Sequence, residues 1–249
     1  MQGFIPAEVN TSLRERPPLA RAALVCLAGF LFFSPFSISL SQIFVFTGIA
    51  LWLLSVWKEP RSAPLFFYFW KPFLLFAVLT VVSAFFSDDI PRSIKDAKQL
   101  FQIFIFYFAV NIVADEREAH WLVKVLLGAA ALASLFTLGF ALLKPIGLAN
   151  RMSGFFSIYM TLGGYLVIAG ALAFVYLMIT DDKLARRLAG AASVVIIAAL
   201  MSTFSRNAWV GLGASVICAV VVARSIKGMI FVALLAILVV TLSPPSVRS

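Results

Sequence analysis

Along this chain apolar residues neither alternate nor keep to one face of a 3.6-residue period. They run on continuously, and short polar stretches holding nearly all the charge separate the runs. Continuous apolar runs of membrane-crossing length predict helices with lipid as their solvent. Lipid offers no partner to backbone N–H and C=O groups, so a spanning chain must close into helices or a barrel, and unbroken runs exclude alternating barrel strands. The pattern predicts an all-α, polytopic transmembrane helical bundle of about nine spans, at residues 22–35, 40–57, 72–86, 100–114, 121–143, 155–179, 188–204, 208–223 and 229–242. Residues 1–21 form an N-terminal tail, 22–242 the helical domain, and 243–249 the start of an outward loop.

One run is interrupted. Residues 188–223 carry no charge except Arg206, in Ser205-Arg206-Asn207-Ala208-Trp209. As one helix, those 36 positions would extend about 54 Å, against a hydrocarbon core of about 30 Å. Two short spans with Arg206 at the turn between them fit instead. A lone guanidinium there needs the interface, a cavity or an anionic partner.

Composition agrees with a membrane protein: 62% of residues are hydrophobic, 12% are charged, and mean hydropathy is +1.03. The net charge of +9 follows from topology, not from nucleic acid, because basic residues gather in cytoplasmic loops. With the N-terminus cytoplasmic, 13 Lys and Arg fall inside and 7 outside. Three of the outer seven, Arg92, Lys95 and Lys98, share a loop with Asp88, Asp89 and Asp96, which reads as a solvated loop. This orientation puts Arg151, Arg206 and the C-terminus outside. Cys26 and Cys218 lie in apolar runs and read as buried thiols. The five tryptophans lie mostly near span ends, as interface anchors do. The first apolar run lacks a small-residue cleavage site and leads into another span, so it reads as a span and not a leader. Ser243-Pro244-Pro245-Ser246-Val247-Arg248-Ser249 follows the ninth span directly and looks cut short.

Arg151 stands in Asn150-Arg151-Met152-Ser153-Gly154-Phe155-Phe156, just before the sixth span, as Arg206 stands before the eighth. Both are expected at outward N-terminal helix ends, where free N–H groups and partial positive charge favour anions. A guanidinium adds a planar fork of donors suited to phosphate. Ser153, Gly154, Ser205 and Asn207 are small polar neighbours that let an anion approach. The bland alternative is arginine snorkelling to lipid head groups. Asp115, Glu116 and Glu118 read as solvating a helix end, and Gly211 with Ser215 as close helix packing. No P-loop, zinc spacing or dinucleotide signature is present.

Arg151-Met152-Ser153-Gly154-Phe155-Phe156, then Ser205-Arg206-Asn207-Ala208-Trp209, then the proline-rich exit resemble the O-antigen ligase and polymerase family. The resemblance implies a bacterial inner-membrane enzyme working on the periplasmic face. Its substrate would be an undecaprenyl-diphosphate-linked glycan, transferred to lipid A–core or to a growing polysaccharide, with no metal or other cofactor. Arg151 and Arg206 match positions that engage the diphosphate. Relatives carry a further large periplasmic loop with a functional histidine. Here the one histidine, His120, lies on the cytoplasmic side and reads as interfacial, so the catalytic group is unassigned. Rival readings are a transporter or flippase, which would want ionisable residues deep within spans, and an inactive family remnant.

Overall fold

A computed structural model describes residues 17–58, 65–143 and 151–223, all helices and connections with no strand among the described residues. The helices are α1 (Pro18–Phe33), α2 (Ile38–Lys58), α3 (Trp70–Phe85), α4 (Ile90–Asp96), a 3₁₀ turn (Ala97–Phe101), α5 (Gln102–Ile112), α6 (Glu116–Leu143), α7 (Tyr159–Ile179), α8 (Lys183–Ser202) and α9 (Arg206–Ala223). Eight of the nine apolar runs are therefore helical; the ninth, 229–242, lies outside the described residues. Four helices, α2, α6, α7 and α8, are long and apolar enough to cross a membrane, whereas α1, α3, α5 and α9 are apolar but shorter. The 11 residues of α5 extend only about 17 Å. Large apolar side chains stand exposed along these helices, among them Phe76, Phe85, Val210 and Val222. Water would not tolerate so much bare apolar surface, and lipid does.

Several helices begin earlier than their apolar runs, because the polar residues before each run cap it. α1 starts at Pro18, inside the expected tail; proline suits a first turn, where its missing N–H is not needed. At α6, Asp115 Oδ1 accepts the Glu118 N–H at 2.8 Å and Glu118 Oε2 accepts the Ala114 N–H at 3.0 Å. This reciprocal cap accounts for the acidic cluster. At α8, Asp182 Oδ1 accepts the Leu184 N–H at 3.0 Å. The charged stretch expected as a solvated loop contains α4, whose start is capped by Asp89 Oδ1 accepting the Arg92 N–H at 3.2 Å.

The described residues divide into two compact units, one within Met1–Ser34 and Ile38–Leu122 and the other within Pro35–Ser37 and Val123–Ser249. In the first, α1 and α2 pack through Ala23, Leu24, Leu27, Val45 and Ile49, with Trp52 against Phe108 of α5. Trp52 is thus a core residue and not an interface anchor. Gly48 lets the two helices and α5 close up: a Cβ there would come within 2.8 Å of Phe108 and 3.0 Å of Cys26. The segment before α3 is held by α5. Asn111 Oδ1 accepts the Phe66 N–H at 2.7 Å, Asn111 Nδ2 donates to the Phe66 carbonyl at 3.0 Å, and Tyr107 Oη donates to the Tyr68 carbonyl at 3.0 Å.

In the second unit α7 is the central helix. Leu162, Leu166 and Ala169 form a buried layer with Ala130 of α6, Ile196, Ala199 and Leu200 of α8, and Ala208 of α9. Farther along, Ala173 and Tyr176 meet Leu127 and Ala189. These pairings run α8 antiparallel to α7. Against α9 the order is the reverse: Gly163 faces Ser205 and Ala208, Val167 faces Gly211, and Gly170 faces Leu212, so α7 and α9 are parallel. The overlong run has folded back on itself, with the break at residues 203–205. Gly211 packs on Val167 and Ser215 Oγ donates to the Gly211 carbonyl at 2.8 Å, as the packing reading expects. Cys26 is half-buried, but Cys218 is exposed on the outer side of α9 and corrects the expectation of two buried thiols.

A Cβ on Gly163 would lie 3.2 Å from the Ala208 Cβ, whereas Gly164 faces open space. Gly163→Leu should therefore separate α7 from α9 and destabilise the unit by about 1–3 kcal/mol, the usual range for overpacking. Gly164→Leu should leave the melting temperature of the detergent-solubilised protein at or above the parent value.

Candidate functional site

The chain break between α8 and α9 leaves the last four carbonyls of α8 without helical partners. Each finds one. The Ala199 carbonyl accepts from Ser202 Oγ at 2.7 Å. The Leu200 carbonyl accepts from the Thr203 N–H at 3.2 Å, from Thr203 Oγ1 at 2.7 Å and from Trp209 Nε1 at 3.3 Å. The Met201 carbonyl accepts from the Phe204 N–H at 3.2 Å, and the Ser202 carbonyl from the Met152 N–H at 3.3 Å. That last bond ties the Arg151 turn to the Arg206 turn, backbone to backbone.

Phe204 has φ 50°, the left-handed conformation that usually takes glycine after a helix C-terminus. For a residue with a Cβ it costs roughly 1–2 kcal/mol. That strain sits immediately before Ser205-Arg206. Ser205 N–H donates to Thr203 Oγ1 at 3.3 Å, and the Ser205 carbonyl accepts from the Ala208 and Trp209 N–H groups at 3.1 and 3.2 Å. Arg206 is the first residue of α9, as expected, and is exposed; Asn207 is exposed beside it. Ser205 is buried against Gly163. The backbone N–H groups of Arg206 and Asn207 take no partner among the described residues.

Arg151 corrects the expectation. It does not lie at a helix N-terminus: α7 begins eight residues later, at Tyr159. Gly154, at φ 58°, turns the chain, the Ser153 carbonyl accepts the Phe156 N–H at 3.0 Å, and bends follow to Ile158. Even so, the Arg151 guanidinium reaches the first residue of α7 and lies over the Tyr159 ring, 4.7 Å from its centroid. This cation–π contact fixes a half-buried cation near the helix start. Ser153 and Gly154 are half-buried in the turn. Asn150 lies outside the described residues.

Both arginine turns therefore stand at one end of the second unit, where α6 and α8 finish and α7 and α9 start. His120 belongs to the other unit. Among the described residues no group of three His, Cys, Asp or Glu gathers that could hold a metal ion.

Three supporting residues were not expected from the sequence. Thr137 on α6 is buried, and its hydroxyl donates to the Ala133 carbonyl at 2.8 Å while it faces Gly154. Nothing in an apolar run marks one threonine as the floor of a distant turn. Tyr159 carries no spacing signal either, since a loop separates it from Arg151. Trp209 is part of the quoted Ser-Arg-Asn-Ala-Trp string, and its indole N–H is what closes the end of α8. No family model, no curated protein and no solved structure matches this chain.

A Cβ on Gly154 would stand 2.6 Å from Thr137 Oγ1, in a backbone conformation that side chains avoid. Gly154→Ala should destabilise the protein by about 1–3 kcal/mol from strain and overlap together. In a Thr137→Ala background the overlap is gone and the cost should fall to about 1 kcal/mol, the backbone share. Denaturation of the four proteins of this cycle in one detergent measures the coupling.

Proposed function

We propose that this chain is an O-antigen ligase-like or polymerase-like glycan transferase of the bacterial inner membrane, whose Arg151–Arg206 end holds the lipid carrier. In this reading it crosses the membrane nine times, its N-terminus is cytoplasmic, and the Arg151–Arg206 end opens to the periplasm. The substrate is a glycan on undecaprenyl diphosphate, and the acceptor is lipid A–core or a growing polysaccharide. The single observation that carries the proposal is the bond from the Met152 N–H to the Ser202 carbonyl. Through it, two arginines separated in sequence by two helices belong to one small region.

The chemistry follows from where charge develops. As the acceptor oxygen bonds to the anomeric carbon, the bond from that carbon to the diphosphate breaks, and the leaving diphosphate gains negative charge. Fixed donors directed at that charge stabilise the transition state more than the ground state. Arg206 supplies a guanidinium and, with Asn207, two open backbone N–H groups at the start of α9. Arg151, stacked on Tyr159, supplies a second cation already held in place. Gly154 and Ser205 shape the two turns instead of opening space, Gly154 over Thr137 and Ser205 buried against Gly163. Proton removal from the acceptor is assigned to no residue of this chain.

A transporter reading lacks comparable support. α7 contains no charged residue, and α9 contains none beyond Arg206 at its first position.

Arg151→Ala and Arg206→Ala should each reduce glycan transfer about 10²–10³-fold, the usual effect of losing one fixed electrostatic stabiliser. Binding of undecaprenyl diphosphate to the purified protein should weaken in parallel. Lysine at either position should retain part of both activities, since charge survives but the fork is lost. Parental transfer and parental carrier binding in both alanine variants would end the proposal.

A further inference from the structure

The other end of α8 presents a different arrangement. Lys183, Arg186 and Arg187 crowd into its first five residues, and all three side chains are exposed. None pairs with a carboxylate among the described residues. Asp182 commits its Oδ1 to the Leu184 N–H, leaving the cations at the helix end where the dipole disfavours them. Lys183 and Arg187 are also four residues apart, so two like charges face each other on one side of the helix.

That side is not a water-facing side. Leu184, Leu188, Ala191, Val194, Ala198 and Met201 are all exposed, and at 3.6 residues per turn they fall within an arc of roughly 140°. Lys183 and Arg187 lie in the same arc, and Arg186 lies well outside it. The opposite side, with Ala189, Ile196, Ala199 and Leu200, packs into the bundle. From Leu188 to Met201 the bare stripe extends about 20 Å, more than the roughly 15 Å depth of one leaflet. Two cations thus stand at the end of an exposed apolar stripe at least as long as one leaflet is deep.

We infer that Lys183 and Arg187 form a binding site for a phospholipid of net negative charge. Its phosphate sits between the two side chains and its acyl chains lie along Leu184, Leu188, Ala191 and Ala198. The partner is anionic because a zwitterionic head group brings its own ammonium into competition for the phosphate. Binding removes the repulsion between the two cations and screens both from the helix dipole. The site needs only the membrane character of the chain and stands independently of glycan transfer.

The full chain in nanodiscs provides the test. Replacing 30% of phosphatidylcholine by phosphatidylglycerol should raise the melting temperature of the parent protein by about 2 °C, a shift of the size expected from a roughly 1 kcal/mol binding contribution. Lys183→Gln with Arg187→Gln should lose more than half of that shift, while melting in pure phosphatidylcholine at or above the parent value because the repulsion is gone. Arg186→Gln should keep the whole shift, as should the exchange Lys183→Arg with Arg187→Lys. No shift in the parent, a full shift in the double glutamine variant, or equal losses in Arg186→Gln and the double variant would each overturn the inference. If the double glutamine variant fails to fold, the exchange variant decides: loss of its shift overturns the site and retention upholds it.

Discussion

A helix that stops inside or near a membrane must find partners for carbonyls that water would otherwise solvate. At the end of α8 this requirement determines the arrangement of everything around it. Local hydroxyls and turn N–H groups serve three of the four carbonyls, and the fourth, on Ser202, is served by a segment from another part of the chain. The Met152 N–H can reach it only if the chain before α7 lies across the α8–α9 break. The positive φ of Gly154 and the Thr137 floor beneath it put that chain there. Bringing the two arginines to one end is thus a by-product of backbone satisfaction, obtained without any contact between the arginines themselves.

The same break explains why α7 is lined with glycine. A run that reverses at residues 203–205 returns as α9 parallel to α7, and the starts of the two helices must lie close together. Gly163 admits Ser205 and Ala208 at that end, and Gly170 admits Leu212 farther along. In lipid there is little hydrophobic gain from helix association, so close backbone approach through small residues carries much of the attraction. Two parallel helix starts then add their partial positive charges at one place. The sequence element that permits packing and the one that concentrates positive potential are the same.

Much of this was legible in the sequence. Unbroken apolar runs identified eight helices, and a run too long for one crossing located the break at Arg206. Helix starts were less legible, because a charged residue reads as loop by composition. Asp115, Asp182 and Asp89 are caps, and the Asp115-to-Glu118 spacing was the visible signal of one of them. The Arg151 turn was misread for a different reason. Phe155 and Phe156 continue the apolar run of the sixth span, yet a glycine at φ 58° and the bends after it keep them out of the helix. Hydropathy records what a residue prefers to touch; it does not record the backbone angle before it. The contact of Arg151 with Tyr159 joins residues across that turn and has no periodic trace.

Two cations at one end of a bundle repel each other. The arginines are held in unlike ways. Arg151 is half-buried and rests on an aromatic face, which stabilises its charge. Arg206 is exposed at a helix start, where the dipole opposes a cation. On the proposed reading, a multiply charged anion would lie against both cations and would use the open N–H groups of Arg206 and Asn207. Binding energy gained this way is shared between the arginines and does not divide into separate portions. On the proposed reading, an anion of higher charge gains more from this pair than a singly charged one, and a diphosphate carrier meets that requirement before any sugar or acyl chain is sensed.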